Sequence, residues 1–241
     1  MRRLSVAIVA AVAFVQFASA ADLPRKAPAY TPPAPVWSWT GFYIGVNAGG
    51  SIGRDPSSFF QGPAATPFAT NTMSPAGFIG GGQIGYNWQF APHWVVGVEG
   101  DFQGASQKDS SSGPGFIGGT SYTVTQKVDW FATARGRFGY TGSPWLVYVT
   151  GGAAWAKVAN ELAVNASLPS TDFNVSGWTI GGGIELHLAG GWTGKLEYLY
   201  LDLGSITDVA NTTPAIPTFA VTQTSDIRDH IVRVGLNYKF Y

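Results

Sequence analysis

The side chains best equipped for chemistry in this chain recur singly, at every second position, between apolar or small neighbours. Glu99 and Asp101 bracket Gly100, Arg135 and Arg137 bracket Gly136, Glu185 and His187 bracket Leu186, and Lys195 and Glu197 bracket Leu196. Asp129, Arg233 and Lys239 likewise stand between apolar residues. A period of two places such residues on one face of a β-strand. Carboxylates and guanidinium groups gathered on one face can pair with one another or carry a charged solute. Enclosed without partners they are costly, so pairing is the first expectation.

Other chemical signals are weaker. Gly80-Gly81-Gly82-Gln83-Ile84-Gly85 matches a dinucleotide fingerprint, but no helix pattern follows it, so it reads as small residues in a strand. His230 beside Asp229, with Ser225 or Ser205 near, could build a hydrolase at a loop rim, although no nucleophile elbow is present. His93 and His187 sit near short turns and His230 near a long connection, too far apart for one metal site. Three Asn-x-Ser/Thr triplets begin at Asn165, Asn174 and Asn211 and carry little weight in a chain of bacterial appearance.

Composition narrows the classes. In 241 residues there are 14 Lys+Arg and 14 Asp+Glu, charged residues make up 12%, Gly numbers 32 and Cys is absent. A nucleic-acid partner is excluded for want of a basic cluster. A Cys-ligated zinc site and a disulfide scaffold are excluded as well, and no cofactor motif survives. With 45% hydrophobic and 14% aromatic residues, the chain can bury a large surface, and disorder fits poorly.

The N-terminus reads as an address. Arg2 and Arg3 precede an apolar run from Val6 to Phe17, and Ala18-Ser19-Ala20 fits a small-x-small cleavage site, which predicts a signal peptide over residues 1–20. The apolar core is short for the ~20 residues of a spanning helix. Residues 21–38 hold Pro24, Pro28, Pro32, Pro33 and Pro35 and read as an extended periplasmic arm. Residues 39–241 form the remaining domain.

From Trp39 onward the hydrophobic period is two. Phe42, Ile44 and Val46 oppose Tyr43, Gly45 and Asn47; Ile84, Tyr86, Trp88 and Phe90 oppose Gln83, Gly85 and Asn87. Trp94, Val96, Val98 and Phe102 oppose Glu99 and Asp101, and Val128, Trp130, Ala132, Phe138 and Tyr140 oppose Asp129, Arg135 and Arg137. Trp145–Ala156 is strand-like, with Val147, Val149 and Trp155 assigned to the apolar face. Three more alternating runs cover Trp178–Leu188, Lys195–Tyr200 and Val232–Phe240, which gives eight strands.

Their connections alternate in length. Tight turns fall at Ala91-Pro92-His93, Gly142-Ser143-Pro144 and Ala189-Gly190-Gly191. Segments 52–75, 105–120, 157–172 and 203–227 are rich in Ser, Thr, Asn, Gly and Pro and read as long loops. Long loops at one rim and short turns at the other are the plan of an antiparallel transmembrane β-barrel in a Gram-negative outer membrane. A soluble barrel of lipocalin type would also alternate, with its apolar face inward. Phe90, Trp94, Tyr140, Trp145 and Trp192, all near the short turns, suit a membrane–water interface instead.

The residues also carry a resemblance. Ala21-Asp22-Leu23-Pro24, Trp39-Thr40-Gly41-Phe42-Tyr43-Ile44-Gly45, Ile84-Gly85-Tyr86-Asn87-Trp88, the stretch Lys195–Gly204 and the ending Val234–Phe240 resemble the alphaproteobacterial outer-membrane immunogenic proteins, small members of the porin family. That resemblance implies an abundant eight-stranded surface barrel and assigns no catalytic residue. Tyr238, Phe240 and Tyr241 form the expected C-terminal signal for the barrel-assembly machinery, with Tyr241 an extra residue past the aromatic in phase.

The inward face is then expected to hold Glu99, Asp101, Asp129, Arg135, Arg137, Glu185, His187, Lys195, Glu197, Arg233 and Lys239, with Glu99, Asp101, Arg135, Arg137, Glu185, Lys195, Glu197 and Arg233 as its ion-pair network. Strand neighbours let Glu99 or Asp101 meet Arg135 or Arg137, and Glu197 meet Arg233. Eight strands enclose a space that side chains just fill, so the network reads as a plug. The expected role is envelope integrity and surface interaction without catalysis. A narrow porin for ions or very small solutes is the alternative, and a lipid-modifying enzyme at the rim the third. Expected partners are outer-membrane lipid and lipopolysaccharide, the assembly machinery and, through the arm, the cell wall.

Overall fold

The computed structural model describes residues 37–61, 69–114, 121–164, 171–211 and 220–240. The expected signal peptide, most of the Pro-rich arm and Tyr241 lie outside them. Ten strands follow one another: β1 (Gly41–Gly53), β2 (Asp55–Gln61), β3 (Ala69–Met73), β4 (Ala76–Ala91), β5 (Trp94–Pro114), β6 (Ser121–Thr141), β7 (Trp145–Val164), β8 (Thr171–Ala189), β9 (Trp192–Asn211) and β10 (Ala220–Lys239). β1 and β4 to β10 pair antiparallel in chain order. β10 returns to β1 from Tyr43↔Lys239 to Gly53↔Asp229, closing an eight-stranded barrel. β2 and β3 prolong β1 and β4 past breaks at Arg54 and Ser74-Pro75, and β2 continues the pairing with β10.

The alternation sets which side faces out. Phe42 is 62% exposed and Val98 63%, whereas Leu199 is fully enclosed. Val147, Val149 and Trp155 point outward as expected. The aromatics near the short turns are joined by a second ring that the sequence reading did not single out: Phe102 against Trp130, and Trp178 against Tyr200, each at 5.5 Å between ring centres. Trp94 to Phe102, Trp145 to Trp155 and Trp192 to Tyr200 each cover the ~9–11 residues with which a tilted strand crosses a bilayer.

Two expectations need correction. The four segments read as loops are largely paired strand: pairing runs on to Pro114↔Ser121, Tyr122↔Val164, Asn160↔Thr171 and Ala220↔Asn211. Their polarity is inverted relative to the rest, because Val158, Leu203, Ile206 and Ile227 are buried inside the ring while Lys108 and Thr207 face out. A hairpin standing in water keeps its apolar side chains inward, and its Ser and Thr serve as the wet face.

The second correction is Asp129. The pairing of β6 with β7 slips between Val128 and Trp130, a bulge that turns Val128 inward. Asp129 instead meets exposed Lys127 at 2.7 Å and lies outside the lumen network. Trp37 and Ser38 precede β1 in the barrel unit. Trp37 stacks on His187 at 3.8 Å, and the Lys239 ammonium lies 4.2 Å from the Trp37 ring centre.

Candidate functional site in the barrel lumen

The lumen is filled in layers. At the short-turn end, Trp39 is buried with Val95, Leu146 and Tyr148, and partly buried Trp37 packs against them. Trp39 Nε1 donates to Thr141 Oγ1 at 2.7 Å, and its backbone N–H donates to Gln89 Oε1 at 3.0 Å, so the segment before β1 is fastened across the mouth.

Above this seal lies the charged layer. Glu99 and Asp101 come from β5, Arg135 and Arg137 from β6, Glu185 from β8, Lys195 and Glu197 from β9, and Arg233 from β10; all eight are buried. Neighbouring strands supply Arg135 with Glu99 and, at 2.8 Å, Asp101; Arg233 reaches Glu197 at 2.6 Å. Other pairs cross the lumen: Lys195 to Glu99 at 2.9 Å, Arg137 to Glu185 at 2.8 Å, Arg135 to Glu197 at 3.2 Å and Arg233 to Asp101 at 3.1 Å. Four carboxylates thus face four cations, and the layer is neutral.

Neutral side chains complete it. Tyr43 donates to Glu99 Oε2 at 2.7 Å and Tyr148 to Glu197 Oε1 at 2.8 Å, while the Arg137 guanidinium lies 3.9 Å from the Tyr148 ring centre. Thr133 donates to Asp101 at 2.7 Å, and Thr193 and Asn237 donate to Glu185 at 2.6 and 2.9 Å. Sequence reasoning placed Tyr43 inward without a role and left Tyr148 unassigned. Both are tyrosines in phase with the inner face, and that phase is the signal that could have found them.

Glycine makes the room. Arg233 pairs across the ladder with Gly49, and Arg135 with Gly152. A Cβ at either glycine would lie 2.7 Å from the Cα of the arginine it faces, which real structures do not tolerate. Large charged side chains therefore fit this narrow ring because the opposite positions carry none.

Beyond the charged layer the inner wall turns apolar, with Phe131, Leu199, Leu201 and Ile231 in one cluster that continues into the extended hairpins. It is interrupted on one side by buried Ser51, Gln103, Gln107, Gln126 and Asp229. Asp55, in the extension beyond the outer aromatic ring, is pushed up to about 7 by burial, with the carboxylates of Asp229, Asp109 and Asp226 adding to the rise.

The rim residues do not assemble into a hydrolase. His230 faces outward, where its Nδ1 lies 2.7 Å from the Tyr198 hydroxyl, whereas Asp229 faces inward. Ser225 bonds Ser57 and Ser205 bonds Asp226, so neither reaches His230. Gly80 to Gly85 lie within β4. Phe90, Trp94, Tyr140, Trp192 and Phe240 are exposed near the short turns, Trp145 is half-buried there, and Tyr238 packs on Trp192 at 5.1 Å.

A closed antiparallel ring with an apolar exterior and a charged, filled interior defines an outer-membrane β-barrel. The chain belongs to the family described as outer membrane protein beta-barrel domain, whose sequence profile matches residues 7–240. It is 42% identical over its whole length, and that of its relative, to the 31 kDa outer-membrane immunogenic protein of Brucella melitensis. It is 35% identical to the 22 kDa outer membrane protein of Rhizobium leguminosarum, over 72% of this chain and 69% of that one. Among solved structures, the outer membrane protein OprG from Pseudomonas aeruginosa shares the fold with a TM-score of 0.56 at 15% identity, covering 84% of this chain and 97% of that one. The protein is therefore located in the outer membrane. The names of these relatives carry no enzymatic activity.

Proposed function

We propose that this protein is a sealed, non-enzymatic barrel that contributes to envelope integrity and presents its extended hairpins for surface interactions. The observation that carries the reading is the stacking of three different fillings in one lumen. A tryptophan seal, a neutral layer of cross-lumen ion pairs and an apolar cluster follow one another along the axis. Opening a path for ions would require breaking all three. In this reading residues 1–20 direct export, the Pro-rich arm extends toward the cell wall, and Tyr238, Phe240 and Tyr241 guide the assembly machinery. Phe90, Trp94, Tyr140, Trp145 and Trp192 mark the inner interface, and lipid and lipopolysaccharide surround the barrel.

Conductance of the refolded barrel in a planar bilayer tests this. A silent bilayer, with folding demonstrated on the same sample, is the expected result. Discrete conductance steps that change when Arg135 or Glu99 is replaced would favour the narrow porin and overturn the sealed reading.

A further inference from the structure

The extracellular part of the lumen holds acids of a different kind from those in the charged layer. Asp229 is 5% exposed and Asp55 1%, and neither forms an ion pair among the described residues. Asp229 lies beside Gly53 across the β1–β10 ladder, and Asp55 follows two residues on along the same inner face. Asp229 Oδ1 accepts from Ser51 Oγ and from Gln107 Nε2, both at 3.1 Å, and Asp55 Oδ1 accepts from the Arg228 backbone N–H at 3.0 Å. The undescribed tips 62–68, 115–120, 165–170 and 212–219 contain no Lys, Arg or His, so they bring no cation to the cluster.

A second observation points to what the cluster holds. Gln107 is 1% exposed, and its Oε1 has no hydrogen-bond partner among the described residues although its amide already touches Asp229. Gln126, equally buried on the neighbouring strand, has a partner for neither amide atom among the described residues. Buried polar atoms are nearly always satisfied, and an exception calls for an explanation such as a bound ion or water. A half-turn of the Gln107 amide replaces Nε2 with Oε1 beside Asp229, since the two amide atoms have nearly the same shape.

We propose that Asp229, Asp55, Ser51 and Gln107 bind one hard divalent cation of the calcium or magnesium type at the extracellular end of the lumen. Every donor is oxygen, which selects such ions over zinc or copper. Two carboxylates supply the charge that one divalent ion neutralises. The 3.1 Å between Ser51 Oγ and Asp229 Oδ1 is the spacing of neighbours on a coordination shell of ~2.3–2.6 Å radius. Because Ser51, Asp55 and Asp229 come from β1, β2 and β10, the ion ties together the two ends of the chain where the barrel closes.

The test is calorimetric titration of calcium chloride into the refolded, chelator-treated chain, with folding verified by circular dichroism. Saturable binding is expected, weakened at least tenfold by Asp229→Asn and several-fold by Asp55→Asn. Asp202→Asn, half-buried beside Arg228 and outside the proposed ligand set, should leave it unchanged. A folded wild-type chain that shows no saturable binding beyond ~1 mM, the range of weak extracellular sites, overturns the proposal. So does binding that Asp229→Asn leaves intact, or that Asp202→Asn removes equally.

Discussion

The middle of the lumen and its extracellular end both bury carboxylates, yet they treat them oppositely. In the middle, Glu99, Asp101, Glu185 and Glu197 are matched by Arg135, Arg137, Lys195 and Arg233, and hydroxyl and amide donors occupy further lone pairs. At the outer end, Asp55 and Asp229 receive neutral hydrogen-bond donors, Asp55 is repelled by the carboxylates of Asp229, Asp109 and Asp226, and the outward His230 ring is the basic group whose field reaches Asp229. In charge the first arrangement is complete within the described residues, although Arg137 Nε and Arg233 Nη1 have no hydrogen-bond partner there. The second is complete only with something added. Substitutions of comparable chemistry should therefore have opposite signs in the two places.

The largest effect should come from breaking the matched layer. Arg233 touches Glu197 and Asp101 at once, so Arg233→Leu leaves two carboxylates short of a partner inside the lumen. Removing one side of a buried pair costs about 3–5 kcal/mol, and a loss of that size is expected in denaturant unfolding from lipid vesicles. A loss below ~1 kcal/mol, the scale of exposed pairs, would mean that the layer is wet and the contrast with the outer end false.

A smaller loss should follow from filling the space the arginines use. Gly152→Val places a branched side chain against Arg135, and overpacking of this kind costs about 1–3 kcal/mol. The same change at Gly80 is the control, because a Cβ there comes no closer than 3.7 Å to anything and faces outward. Equal losses at the two glycines would show that strand propensity, not lumen space, decides the cost.

These contrasts also show what was legible beforehand. Strand number, face assignment and the inward position of the eight network charges followed from a period of two, since each strand in the membrane is apolar on one side only. Neighbour pairs such as Glu197 with Arg233 followed from strand order. Pairs across the lumen, such as Glu99 with Lys195, did not, because they depend on the diameter and shear of the closed ring rather than on any local pattern. Asp129 was misplaced because a single bulged residue reverses every later phase, and bulges leave no mark in alternation. The extended hairpins were taken for loops because their outward residues are those of turns, while the inward Val128, Val158 and Ile227 were counted toward the wrong face or not at all.

The smallest expected effect is the most discriminating one, because its sign depends on conditions. At pH 8 Asp55 is largely ionised, its pKa being about 7, so the outer cluster then carries like charges within a largely enclosed wall. With chelator present, Asp229→Asn removes one of those charges while keeping a side chain that Ser51 and Gln107 can still bond. It should then stabilise the barrel by about 1–2 kcal/mol, the scale on which a poorly compensated buried group is paid for. Calcium should reverse the order, because the wild-type chain gains more than the weaker-binding variant from an ion that the unfolded chain does not hold. Glu197→Gln in the matched layer should destabilise the barrel in both buffers, since it leaves Arg233 and Arg135 without their shared carboxylate. If Asp229→Asn instead destabilises under chelator, the outer acids are already compensated and the two regions follow one rule.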